Sequence, residues 1–243
     1  MIFLIKKILN FFGLQIKKKK NIEFFNINDF TAITDKNKDW KIISDSIKKI
    51  KRNDRDIFTD VRFYSLIHCV RNVLSKNKTR DFVELGCWQG QSAYIISRLI
   101  KESKKKIKLH IFDSFKGISK PKRKDKISTK VINNFVGSEI FLNNHVLKDF
   151  KFTKTYAGWI PSRFKEIKDK KFSLVHIDLC MYEPTLESLN FFFPRLIKGG
   201  VIISNCYNSK VFPGEAKAWD DFFLNKEYSF IYKHALSTSF VIK

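Results

Sequence analysis

VELGCWQGQSAYIIS, residues 83–97, changes its hydrophobic period partway along. Val83 to Leu85 close a short β-rich run, DFVEL at 81–85. Gly86 and Gly90 punctuate a turn, and from about Ser92 the apolar residues recur at helical spacing. A strand that runs through glycines straight into a helix is the opening unit of a parallel α/β sheet. Glycine lets the backbone approach a ligand closely, and the first N–H groups of the following helix are free to meet a phosphate or other anion.

The alternation continues downstream. KLHIF at 108–112, FTKTY at 152–156, SLVHID at 173–178 and VIIS at 201–204 are further short strands. Helices are expected between them at about 91–103, 130–149, 161–168, 183–197 and 214–225. YSFIYKH at 228–234 and STSFVIK at 237–243 then follow each other with no helix between, as an antiparallel pair would. Upstream, Val61, Tyr64, Ile67, Val70 and Leu74 mark a helix over 59–76. The predicted fold is α/β and Rossmann-like: a mostly parallel seven-stranded sheet with a C-terminal antiparallel hairpin and helices on both faces, the layout of class I methyltransferases. Three regions are expected, a basic amphipathic helix or tail at 1–25, a helical region at 26–78 that packs on or caps the rest, and a catalytic domain at 79–243.

Chemistry-bearing residues gather at the carboxyl ends of these strands. Glu84, Gly86 and Gly90 spell E-x-G-x-x-x-G at the exit of the first strand. Asp113, 23 residues after Gly90, ends the second strand, where a carboxylate can accept the two hydroxyls of a ribose; a turn or cap role is the alternative. Together the two motifs point to an adenosine-containing cofactor. Asp178 ends the fourth strand and Asn205 the fifth. A carboxylate and an amide oxygen on one rim could hold Mg²⁺, or could bond to loop backbone and turn. His110 and His176 lie inside strands and read as core residues.

Of 243 residues, 44% are apolar, enough for one sizeable core. The 47 basic and 24 acidic residues leave a net charge of +23, of which residues 1–20 carry +6 and residues 101–130 carry +9. With 38 Lys against 9 Arg and no aromatic-interleaved basic face or RNA-binding module, the charge does not indicate nucleic acid. Lys-rich 101–130 follows the predicted cleft, where it would gather an anionic substrate or lie as a solvated loop. In residues 1–20, Ile2, Ile5, Leu9, Phe12 and Ile16 form an apolar stripe closed by lysines. Such a helix would lie on an anionic membrane, or dock on the core or on a second copy of the chain in a homo-oligomer. Cys69, Cys87, Cys180 and Cys206 show no C-x-x-C pair, so free thiols and a cytoplasmic location, with peripheral attachment to the inner face of the membrane as a variant, are expected.

VELGCWQGQS, FDSFKGISKP, YAGWIPSRF, VHIDLCMYEPTLESL, FFPRLIKGGVIIS and FPGEAKAWDDFF, in that order from Glu84 to Phe222, resemble the macrocin O-methyltransferase family. These are bacterial S-adenosylmethionine-dependent enzymes that methylate sugar hydroxyls. The resemblance implies a cofactor site of Glu84, Gly86, Trp88, Gly90 and Ser92 in the glycine loop, Asp113 and Ser114 at the ribose, Gly158 and Trp159 near the adenine, and Asp178. It also implies Mg²⁺, with Asp178 and Asn205 as ligands. The chain departs from the family where carboxylates are usual: Cys180, Asn205 and Cys206 stand in place of aspartates. Cys is a soft ligand that suits Mg²⁺ badly. The position of the lysine base of related catechol enzymes holds Met181, so the resemblance names no general base; Asp178 is the catalytic candidate. The resemblance therefore implies methyl transfer to a glycan or nucleotide-sugar hydroxyl, or a catalytically degenerate relative that serves as a binding or scaffold subunit.

Overall fold

β1 (Asp81–Leu85) and β4 (Phe172–Ile177) are mostly apolar because both faces of each strand are covered, and Phe82 to Leu85 and all of β4 are buried, Glu84, Ser173 and His176 among them. A computed structural model describes residues 38–51, 57–127, 134–207, 209–233 and 238–243, all within one unit, Asp35–Lys243. The basic stripe expected over residues 1–25 lies outside the described residues.

β1 and β4 pair in parallel at the centre of a seven-stranded sheet. β2 (Leu109–Asp113) and β3 (Thr153–Ala157) extend it on one side, and β5 (Leu196–Ser204) extends it on the other. β7 (Ser239–Ile242) runs antiparallel between β5 and β6 (Phe230–Lys233), giving the order β3-β2-β1-β4-β5-β7-β6. The chain thus leaves β1 toward β2 and returns to β4 on β1's other side. The carboxyl ends of β1 and β4 flank the switch point where open α/β sheets place their ligands.

α1 (Lys38–Lys49), α2 (Ile57–Ser75) and α3 (Gln91–Ser103) pack against one another, with Ile67, Val70, Ile95, Ile96 and Leu99 buried. α4 (Tyr182–Phe192) and α5 (Pro213–Phe223) pack together over an aromatic core that joins Phe112, Tyr156, Phe172, Phe192 and Trp219. Phe112 stacks on Tyr156 at 4.4 Å between ring centroids, with the ring planes 8° apart. Among the described residues no helix is long and apolar enough to cross a membrane.

Three helix expectations shorten. Over 130–149, the described residues form one helical turn, Glu139–Phe141, followed by a π-turn, Leu142–Val146. Phe135 has a left-handed φ of 62°, and the Ser138 hydroxyl caps Phe141 N–H, so helix begins only after Ser138. Over 161–168 the helix is a 3₁₀ turn, Phe164–Ile167. Over 183–197 the helix stops at Phe192, because Pro194 cannot continue it and Leu196 already opens β5.

Candidate active site

Every strand exit on this rim is tied to its neighbour. Gly86 N–H donates to Phe112 C=O at 2.8 Å, Asp178 N–H to Leu85 C=O at 2.8 Å, Asn205 N–H to Ile177 C=O at 2.8 Å and Gly158 N–H to Asp113 C=O at 2.9 Å. The sheet ladder therefore continues one residue past the strands and lines up these four residues. Gly86 takes φ +81°, and a Cβ there would meet the Asp178 carbonyl oxygen. Gly90, at φ +93°, precedes α3 where a side chain would strike Leu142.

Asp113 holds the glycine loop. Its Oδ2 accepts the N–H groups of Cys87 at 2.7 Å and Trp88 at 2.9 Å, and its Oδ1 accepts Phe115 N–H at 2.7 Å. Hydrogen bonds to a charged group contribute about 1.5–3 kcal/mol each, so this carboxylate is a structural clasp as well as a candidate ligand. A carboxylate offers about four lone-pair sites, which leaves about one for a ribose hydroxyl rather than the two contacts expected from sequence.

Glu84 does not reach the cleft. It is fully buried on β1, with Oε1 3.2 Å from Nδ1 of the equally buried His176 on β4. Burial pushes the Glu84 carboxyl up, an effect opposed by His176 and the Ser92 hydroxyl. Ser92 itself lines the cleft at the start of α3.

At the other wall, Asp178 Oδ2 accepts Asn205 Nδ2–H at 2.8 Å, and the Cys206 thiol donates to Asp178 Oδ1 at 3.1 Å. Cys180 Sγ lies 3.7 Å from Cys206 Sγ. Glu215, on α5, braces this wall from behind and was not singled out from sequence. Its Oε2 accepts Leu179 N–H at 2.9 Å and Cys180 N–H at 2.8 Å, while its Oε1 accepts Cys206 N–H at 3.2 Å and the Ser204 hydroxyl. Burial, then the charge of Asp178, raises the Glu215 carboxyl to about 7 against the pull of those hydrogen bonds. The available sequence signal is an acid in the first turn after Pro213-Gly214.

The Lys-rich segment is also built into the wall. Asp125, buried, accepts Tyr182 N–H at 2.6 Å and Lys122 N–H at 2.7 Å, and Lys124 sits over the Tyr182 ring at 4.1 Å. This leaves Lys120 and Lys122 exposed at the rim of the cleft. The cleft has a volume of about 620 Å³ and runs from Trp88, Asp113, Ser114 and Trp159 to Asp178 and Cys206. Gly86 and Ser92 line it, whereas Glu84, Gly90 and Gly158, expected at the cofactor from sequence, are not among its lining residues.

The size is that of a small-molecule site, and the close backbone approach at Gly86 with the Asp113-clasped loop fits a nucleoside cofactor such as S-adenosylmethionine. Mg²⁺ fits poorly. It takes hard oxygen ligands and completes its shell with water, and the exits of β4 and β5 offer it one carboxylate and one amide beside two soft thiols. The Cys206 thiol is held above the usual thiol range by its bond to Cys180 and by burial. Both Asp178 oxygens already accept hydrogen bonds from protein donors.

Comparison with known proteins agrees with this geometry. The family described as Macrocin-O-methyltransferase (TylF) matches residues 56–229. A curated relative from Streptomyces olivaceus, 8-demethyl-8-(2,3-dimethoxy-alpha-L-rhamnosyl)-tetracenomycin-C 4'-O-methyltransferase, is 22% identical over 188 residues, or 70% of this chain. The match spans 65% of that relative's length. Among solved structures, the O-methyltransferase NovP superposes with a TM-score of 0.60 at 20% identity, covering 74% of this chain and 78% of NovP. The S-adenosylhomocysteine-bound methyltransferase PaMTH1 of Podospora anserina superposes with a TM-score of 0.55 at 13% identity, covering 92% and 98%. These likenesses establish the class I methyltransferase fold.

Proposed function

Because this chain belongs to the macrocin O-methyltransferase family, we propose that it transfers a methyl group from S-adenosylmethionine to a sugar hydroxyl of a surface glycan or its nucleotide-sugar precursor. One observation carries the reading: a glycine loop clasped by Asp113 and the carboxylate of Asp178 line one cleft at the switch point between β1 and β4. When bound, S-adenosylmethionine supplies an electrophilic methyl group on a sulfonium centre.

The chain's residues do the rest. Trp88, Asp113, Ser114 and Trp159 hold the adenosyl end, with Gly86 and Ser92 allowing close approach. Asp178, lining the same cleft beside the glycine loop, takes up the proton of the acceptor hydroxyl once that hydroxyl replaces Cys206 or Asn205 as its hydrogen-bond donor. Alignment of the acceptor and removal of its proton are the contributions such a displacement needs. Lys120 at the rim favours an acceptor carrying phosphate or other negative charge, whereas Lys122 is paired with Glu183. The name of the tetracenomycin relative, a 4'-O-methyltransferase acting on a rhamnosyl group, supports a sugar acceptor.

Calorimetric titration with S-adenosylhomocysteine, followed by a screen of nucleotide sugars for S-adenosylhomocysteine release, tests the reading. It fails if neither S-adenosylmethionine nor S-adenosylhomocysteine binds. A second reading, a cofactor-binding scaffold without turnover, draws on the saturation of both Asp178 oxygens. Cofactor binding with no acceptor turned over, even after Asn205→Asp and Cys206→Asp, would favour it. A cytoplasmic location, contact of residues 1–20 with anionic membrane, and a homo-oligomer belong to the same proposal. Liposome flotation and light scattering test the last two.

A further inference from the structure

We propose that the thiols of Cys180 and Cys206 and the carboxylate of Asp178 form a binding site for a thiophilic divalent cation, with Zn²⁺ as the type, at the acceptor wall of the cleft. The three donor atoms come from the exits of two adjacent strands and all lie within 4.8 Å of one another. The two sulfurs are 3.7 Å apart. In a tetrahedral site with Zn–S bonds of about 2.3 Å, two sulfur ligands stand about 3.8 Å apart, so the thiols need no rearrangement. Cys206 Sγ and Asp178 Oδ1 are 3.1 Å apart, and a tetrahedral S–Zn–O angle sets such a pair at roughly 3.5 Å, so the Asp178 carboxylate turns to seat the ion between both sulfurs.

The surroundings are those of a held ligand set. Glu215 accepts the backbone N–H groups of both cysteines, fixing their Cα positions from behind. Cys180 is kept at a left-handed φ of 62°. All three side chains line the cleft, so an ion has a route in and a fourth coordination position open to an oxygen from the cleft. Soft thiolates and a single carboxylate select against Mg²⁺ and for Zn²⁺. On binding, each thiol gives its proton to solvent as its sulfur–metal bond forms, and no electron is transferred. The resulting ligand charge of −3 against +2 leaves one net negative charge, with Arg62 and Lys120 along the same cleft.

The inference goes beyond the methyl-transfer reading and is tested without acceptor or cofactor. The full-length, metal-free protein is titrated with Zn²⁺ against a chromophoric chelator, and separately with Co²⁺ while thiolate-to-cobalt charge-transfer absorption is followed. One equivalent of Zn²⁺ is expected, unaffected by millimolar Mg²⁺, with a tetrahedral Co²⁺ spectrum. Cys180→Ser with Cys206→Ser should weaken Zn²⁺ binding by at least about 100-fold and abolish the charge-transfer band. Cys180→Asp with Cys206→Asp should move preference toward Mg²⁺. Circular dichroism establishes that each variant is folded, and S-adenosylhomocysteine binding, measured in parallel, reports on the methyl-transfer reading alone. Zn²⁺ affinity unchanged in both folded double variants, displacement of Zn²⁺ by Mg²⁺, or a Cys180–Cys206 disulfide that forms in reducing buffer and leaves no metal uptake would each overturn the proposal.

Discussion

A Cβ on Gly86 would lie 2.0 Å from the carbonyl oxygen of Asp178. The exits of β1 and β4 therefore meet backbone to backbone, and the two walls of the cleft share one contact. At φ +81° the position is already unfavourable for any side chain. Gly86→Ala should cost about 3 kcal/mol or more of stability and eliminate S-adenosylhomocysteine binding. Urea denaturation with calorimetry checks this, and an unchanged midpoint would refute the close approach.

Asp113→Asn should loosen the cofactor loop. An amide keeps one acceptor oxygen, so the variant retains either the Phe115 bond or the pair from Cys87 and Trp88, but not all three. A loss of about 1–3 kcal/mol in stability and a weakening of S-adenosylhomocysteine binding by about 10-fold or more are expected. Wild-type affinity in this variant would show that the clasp is dispensable.

Asp178→Asn should separate binding from turnover. Methyl transfer to whichever nucleotide sugar is accepted should fall by about 10²–10⁴-fold, while S-adenosylhomocysteine affinity changes little. Full turnover would remove Asp178 from the reaction.

Glu215 should give stability a pH dependence of definite sign. Its carboxyl titrates at about 7 in the folded chain against 4.5 for an unperturbed glutamate, so between those values the native state holds a proton that the unfolded chain has released. The contribution present below pH 4.5 is lost as pH rises through 7, on the order of 3 kcal/mol in all. Unfolding free energies measured against pH for wild type and Glu215→Gln should differ by a curve that falls across this window. A flat difference would mean that Glu215 is ionised throughout.

The alternation of short apolar strands with helices, the glycines after β1 and the final strand pair were all legible in one dimension. Each is a local pattern: burial on both faces makes a strand apolar throughout, and a turn that needs positive φ selects glycine. The same locality placed Asp113, Asp178 and Asn205 at strand ends, because the carboxyl ends of parallel strands share one rim. Asp113's engagement with the glycine loop was not legible, since it joins residues 25 and 26 positions apart through backbone N–H groups that carry no sequence signal. Glu84 shows the opposite case, a motif residue whose strand position turns it into the sheet toward His176 instead of the cleft.

By itself, then, the sequence determined the strand order's raw material, the rim on which the chemistry sits and the family to which the chain belongs. Only the tertiary structure decided what the rim's residues do to one another. It set Cys180 3.7 Å from Cys206 across two strands, turned both toward Asp178 and placed Glu215 behind them from a helix further along the chain. Periodicity reports which face of an element is buried. Which side chains meet depends on register and on the twist of neighbouring strands, and these exist only once the sheet has closed.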